Sequence, residues 1–536
     1  MELYINKEKV HISSLLRSID EEISCEAETA FPASLGAVNR IICSFARLRG
    51  REINMEGNRL TIRMPLDIEA IVTASGSENP VSVIWSPESG DAAVCTYETE
   101  VPGLRGDDVV WAKADVQSMQ LVLGNNGKAG VRARIALKVK VFRTAEGEIM
   151  TDASIASGAR LDVAKEDLTV YDIQKEINLD HEWERDLYLP GHMPEPLEVL
   201  MKEAIITDSS ITAMDGRIAI KGAINLGIVY RTNEQDSGQA NIMYHAWTKE
   251  DGSALPFESV MDIAGLRSNS MVEACLEVDR ISCTVNSHGL HVAVRLRTQG
   301  LLLGAKSLSA VTDIAAPEGV IMDVERRPVR FANLLGKMDE KVVAEKTLNL
   351  PERLPQPEKV IDARVKPVNV KIECENDQAR ITGNLQVTML YMAARGEEGP
   401  DLVCYEWEPG EYEFVIAADA PGCEEREWEN LCLTIHSMEL RQGDEGKFDL
   451  STGVSLAASF WNSRDIMTVS DAALVLPRDE SCPRPTFLYY VVQRDDTLWK
   501  IARRYNTTVE QIAQTNNIPN LDLPVPGERI LIPARY

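Results

Sequence analysis

Two stretches decide how this chain is read: His181–Leu200, HEWERDLYLPGHMPEPLEVL, and Val342–Ile361, VVAEKTLNLPERLPQPEKVI. A constant shift of 161 residues lays Pro190, Pro194 and Pro196 on Pro351, Pro355 and Pro357. The same shift, without a gap, carries Val199 onto Val360, Gly222 onto Gly383 and Tyr230 onto Tyr391. A weaker third copy precedes them. With a shift of 158, Pro32 matches Pro190, Ile41 and Ile42 match Val199 and Leu200, and Leu60, Ile62, Leu66 and Ile68 match Ile218, Ile220, Ile224 and Leu226. In that copy Met64 and Val72 stand where the glycine and tyrosine would fall. Tyr97-Glu98, Phe257-Glu258 and Tyr412-Glu413 are expected to correspond, each before a turn. The period far exceeds the roughly 20–50 residues of a solenoid repeat. It therefore predicts tandem domains, over residues 1–160, 161–321 and 322–480.

Inside each copy the apolar period is two. Ile135, Leu137, Val139 and Val141 alternate with Arg134, Ala136, Lys138 and Lys140, as a half-buried strand requires. Ile218, Ile220, Ile224, Leu226, Ile228 and Tyr230 share one face, as do Leu290, Val292, Val294 and Leu296, and Val454, Leu456, Ala458 and Phe460. Asn126-Gly127, Asp215-Gly216 and His288-Gly289 are hairpin-type punctuation. The fold class expected is mainly β: three tandem antiparallel, sandwich-like domains, joined by the proline-rich, charged segment LPRDESCPRPTF to a small α+β module at 487–536.

Composition narrows the function. The 536 residues carry 56 basic and 83 acidic side chains, a net charge of −27, which repels nucleic acid and anionic lipid. No apolar run approaches the ~20 residues of a membrane helix, and no secretory leader is visible. Both features predict a protein that stays in the compartment where it is made. Ten cysteines include no C-x-x-C pair, so they are expected to be reduced thiols in cores and strands, without a metal site.

The C-terminal module reads strand, helix, helix, strand. Asp495, Asp496 and Thr497 are helix N-cap types, followed by Leu498, Ile501, Ala502 and Tyr505 at helical spacing. Thr508 with Gln511 has capping-box spacing before a second helix, and Arg529–Ile532 closes the unit. This module resembles the LysM domain, through Asp496-Thr497-Leu498-Trp499 with Ile501-Ala502, Asn516-Asn517-Ile518, and Pro526-Gly527 before Ile530-Leu531-Ile532-Pro533. The resemblance implies binding of N-acetylglucosamine-containing glycans in a shallow groove, lined here by Asp496, Thr497, Asn517 and Ile518. Asp495 stands where the family usually has glycine. Charges in the module nearly cancel at +1, leaving −28 on the remainder.

Three β copies with the Leu-Pro signature, ending in LysM, resemble the SPOCS-domain proteins of endospore-forming bacteria, in particular the SipL-type spore envelope proteins. The resemblance implies a non-catalytic morphogenetic scaffold in the mother-cell cytoplasm, at the forespore surface. It would dock through LysM to the coat-organising ATPase, stage IV sporulation protein A. A peptidoglycan anchor is the alternative, and a cell-wall hydrolase a weaker one. No cofactor is expected.

Catalytic patterns are sparse. LGNNGKAG (Leu123–Gly130) has Ala129 where a phosphate loop needs Ser or Thr, and reads as a hairpin. No H-E-x-x-H or G-x-S-x-G occurs, and His288 and His291 fall on opposite faces of a strand. The expectation is a triplicated β stalk tipped by an adhesive module.

Overall fold

The computed structural model describes all residues except 1–2, 76, 88–92, 125–126, 156–160, 233–241, 268–269, 288, 317–320, 394–400, 409, 444–445, 476–486, 495, 519–524 and 534–536. Asn126, His288, Asp495, Cys482 and nearly all of the proline-rich connector thus lie outside the described residues. The described part is mainly antiparallel β, with its two α-helices confined to the C-terminal module.

Copy one comprises β1 (Leu3–Ala30), β2 (Val38–Leu48), β3 (Glu52–Glu56), β4 (Arg59–Ala74), β5 (Ser77–Trp85), β6 (Val94–Glu100), β7 (Val109–Leu123) and β8 (Lys128–Ile155). Copy two runs through β9 (Asp162–Leu187), β10 (Pro196–Met214), β11 (Arg217–Thr232), β12 (Ile242–Trp247), β13 (Leu255–Asp262), β14 (Met271–Asn286) and β15 (Gly289–Ala315). Copy three repeats that order as β16 (Ile321–Asn349), β17 (Pro357–Glu375), β18 (Gln378–Ala393), β19 (Asp401–Glu406), β20 (Glu413–Asp419), β21 (Trp428–Gln442) and β22 (Lys447–Val475).

In each copy the first strand pairs along its length with the last, and a second sheet built on β4, β11 or β18 faces that strand pair. The alternation places Leu60, Ile62 and Leu66 against Ile135, Leu137 and Val139 in one apolar layer, the packing of a β-sandwich. The equivalence extends to defects in the ladder. β2, β10 and β17 share two register shifts, at Val38/Arg40 and Ile41/Cys43, Pro196/Glu198 and Val199/Met201, and Pro357/Lys359 and Val360/Asp362, and β10 and β17 share a third at Thr207/Ser210 and Val368/Lys371. Bulges at matching positions bend the three strands alike.

The repeated residues have physical reasons. The carbonyls of Pro32, Pro190 and Pro351 accept from the amides of Leu35, Met193 and Leu354 at 3.0, 2.8 and 2.9 Å, closing one turn three times. Tyr391 is fully buried and donates to the Pro355 carbonyl at 3.1 Å, tying the turn to the sheet. Gly222 and Gly383 lie opposite Phe257 and Phe414, and a Cβ at either would come within 2.7 Å of the ring. Copy one inverts the sizes, with Met64 opposite Cys95. The expected matches of Phe257 with Tyr97 and Tyr412 are therefore corrected to Cys95, two residues back, and Phe414, two residues on, because the partner of the glycine or of Met64 defines the position.

The copies do not form an extended stalk. Four apolar clusters each gather side chains from all three. One contains Val10, Leu168 and Val329, another Ile42, Leu200 and Ile361, a third Ala153, Ile314 and Ala472; each trio occupies one equivalent position. Ion pairs cross every junction: Lys202–Glu69 at 2.7 Å, Arg364–Glu203 at 3.1 Å and Arg40–Asp401 at 2.9 Å. The body is closed with pseudo-threefold symmetry. An extended array leaves three sandwich flanks in water, whereas closure buries them against one another.

At the axis, one equivalent position holds Phe45, Glu203 and Arg364. Arg364 pairs with Glu203 and lies 4.2 Å from the centre of the Phe45 ring. Burial pushes Glu203 up, while the carboxylates of Glu203 and Asp362 outweigh burial and hold Arg364 charged. Cys275 and Cys432, expected as reduced thiols, instead form a disulfide that joins β14 to β21 across two copies. Antiparallel closure brings the two sulfurs together from 157 residues apart.

Candidate functional site

The module contains β23 (Phe487–Val491), α1 (Leu498–Arg504), α2 (Val509–Asn516) and β24 (Arg529–Pro533). Its helices close on a core of Val492, Leu498, Ile501, Ala502, Ile512, Ile530 and Ile532. Thr497 caps α1, its Oγ1 accepting from the Lys500 amide at 3.1 Å. Thr508 caps α2 in the same way, accepting from Gln511 at 3.3 Å. The Gln511 Oε1 accepts from the Thr507 hydroxyl at 2.9 Å.

Of the four groove residues read from the sequence, Asp496 is buried. Its Oδ2 accepts from the Tyr490 hydroxyl at 2.5 Å and the Gln493 amide at 2.8 Å. Burial acts to raise the carboxyl, but those two bonds and nearby Arg504 prevail and hold it below the usual aspartate value. Asp496 therefore fastens β23 to the loop before α1. Thr497 lies beside it with its hydroxyl engaged at the cap. Asn517 ends α2 in the left-handed region, at φ 54°, where an asparagine is tolerated. Ile518 packs partly against the core, and residues 519–524 beyond it lie outside those described. The adjacent Asn516 exchanges two 2.6 Å bonds with the backbone of Leu531, locking the end of α2 onto β24.

Two features were not drawn from the sequence. Phe487, Tyr489 and Val491 are exposed on the face of β23 turned away from the helices, Tyr489 at 80%. Trp499 is half exposed, with the Arg503 guanidinium 4.1 Å from its ring centre. The alternation of LYYV carried the first signal, since Leu488 and Tyr490 face the core and period two sends their neighbours outward.

Elsewhere, His291 pairs with Asp186 at 2.9 Å. Among the described residues no three His, Cys, Asp or Glu side chains are grouped to hold a metal, and no helix is long and apolar enough to cross a membrane.

Comparison with known proteins follows the same division. Residues 490–533 match the LysM domain, and residues 196–286, from β10 through β14, match the SipL SPOCS domain. The chain thus joins a sporulation-associated SPOCS domain to LysM, a domain of the peptidoglycan-binding kind. It is also similar to the cortical fragment-lytic enzyme of Bacillus subtilis (strain 168), 52% identical over 44 residues in the LysM region. That stretch is 8% of this chain, and the chain spans about a tenth of the length of that relative. No solved structure matches the chain.

Proposed function

We propose that this chain is a non-catalytic morphogenetic scaffold of the spore envelope. It docks through its LysM domain to a coat-organising protein of the stage IV sporulation protein A type, at the forespore surface in the mother cell. The observation that carries this reading is the apolar stripe of Phe487, Tyr489 and Val491 on a module whose groove aspartate is committed internally. Exposed aromatic area flanked by polar residues suits a protein partner. The closed body, braced by three-way apolar clusters, supplies a rigid mount.

The test captures partners of the tagged full-length chain from sporulating-cell lysate, beside co-sedimentation with purified cortex peptidoglycan. Tyr489→Asp, at an exposed position, should abolish capture of the coat ATPase. Asn517→Gly removes a groove side chain while keeping the positive φ, and separates groove from stripe. Undiminished ATPase capture by both variants overturns the docking proposal. A second reading, a peptidoglycan anchor, draws support from the similarity to the cortical fragment-lytic enzyme. It requires co-sedimentation that Asn517→Gly weakens.

A further inference from the structure

The three copies line a half-open cavity of about 420 Å³ where they meet, within the size range of small-molecule sites. Charged groups reach it from each copy: Arg47 and Glu69, Lys202 and Glu203, Arg364 and Lys366. Basic and acidic side chains are both present, so their pairing decides what the cavity prefers.

The carboxylates are already committed. Glu69 pairs with Lys202 at 2.7 Å, Glu203 with Arg364 at 3.1 Å, Asp279 with Arg297 at 2.5 Å and Asp67 with Arg49 at 3.8 Å. Glu406 accepts from Gln386 and Thr388. Arg47 and Lys366 have neither an ion pair nor a hydrogen bond among the described residues. Burial pushes both below their usual values; Glu203, Glu69 and Asp279 act against it on Arg47, where Arg364 adds to it, and Glu406 acts against it on Lys366. An unpartnered cation at such a site is costly.

Symmetry sharpens the point. Arg47, Ile205 and Lys366 occupy one equivalent position, opposite Asp67, Asn225 and Gln386. Copy two shows that isoleucine meets the packing need there. Copies one and three place long cations at the same spot, where among the described residues neither forms an ion pair with the carboxylates around it.

We propose that this cavity binds a small organic anion, whose carboxylate or phosphate oxygens are engaged by the Arg47 guanidinium and the Lys366 ammonium. The frame of the ligand rests on Phe45, Ile84 and Ile281, which also line the cavity. The site is separate from the LysM groove and independent of what LysM binds.

Isothermal titration of the full-length chain tests this with inorganic phosphate, glucose 6-phosphate and citrate, against glucose and sodium chloride at matched ionic strength. At least one anion should bind saturably at one per chain. Arg47→Gln and Lys366→Gln should each weaken it about tenfold or more, the loss of a charge-assisted bond, while Arg132→Gln, on an exposed strand face, leaves it unchanged. A phosphate-only or citrate-only response assigns the head group. On the wild-type chain, saturating anion should also suppress acetylation of Lys366 by N-hydroxysuccinimidyl acetate, read by mass spectrometry. The proposal is overturned by binding no stronger than chloride, by equal binding of glucose, by unaltered affinity in both variants, or by Lys366 labelling that ignores the anion.

Discussion

The glycine opposite Phe414 offers the sharpest check on the equivalence of the copies. In copy three, a Cβ at Gly383 would lie 2.7 Å from two carbons of the Phe414 ring and 3.3 Å from the Val368 carbonyl oxygen. Phe414 is 2% exposed, so the ring has nowhere to retreat. Gly383→Met should therefore cost about 1–3 kcal/mol as overpacking. Phe414→Cys alone leaves a void and should cost about 3–4 kcal/mol, near the lower end for deleting a buried ring. Together they install the Met64/Cys95 pair that copy one uses with both residues buried. The double variant should recover about 1–3 kcal/mol relative to the sum of the singles. Urea unfolding followed by tryptophan fluorescence reads this directly, because Trp407 is buried in the same core. Additive losses would refute the size exchange as the reason copy one lacks the glycine.

Three further outcomes are expected. Asp362, pushed up to about 7 mainly by burial, keeps its proton in the fold from near its ordinary 3.8 up to that value, where the unfolded chain has released it. Stability therefore falls as pH rises through this window. Asp362→Asn should flatten the slope of unfolding free energy between pH 5 and 7, and parallel profiles would contradict the assignment. Lys140 is pushed down to about 8 by burial, 4.7 Å from the centre of the Trp111 ring. The fold releases its proton before the unfolded chain does, so stability should rise between pH 8 and 10.5; Lys140→Met should lose that rise in melts at pH 7.5 and 9.5. The Cys275–Cys432 disulfide closes a separation of 157 residues. Cys275→Ser with Cys432→Ser should cost about 3–5 kcal/mol, and dithiothreitol should lower the urea midpoint of the wild type but not of the double variant.

Much of the local structure was legible. Proline spacing announced the repeat, alternation announced the long strands, and Thr497 and Thr508 announced both helix starts, since each depends on neighbours in sequence. The groove was legible only as positions. That Asp496 is held by Tyr490 depends on how β23 lies against the loop, which no spacing encodes. The slip at Tyr412 has the same origin: local likeness favoured Tyr-Glu, but the cross-strand partner of Gly383 is Phe414.

By itself the sequence determined three antiparallel β copies and a LysM module, because period, turn chemistry and capping act within a few residues. Only the tertiary structure decided that the copies close on one another. Closure depends on unlike residues at like positions, Phe45, Glu203 and Arg364, whose complementarity appears only once symmetry brings them to a common axis. The Cys275–Cys432 link and the unpartnered charges of Arg47 and Lys366 arise from that same convergence.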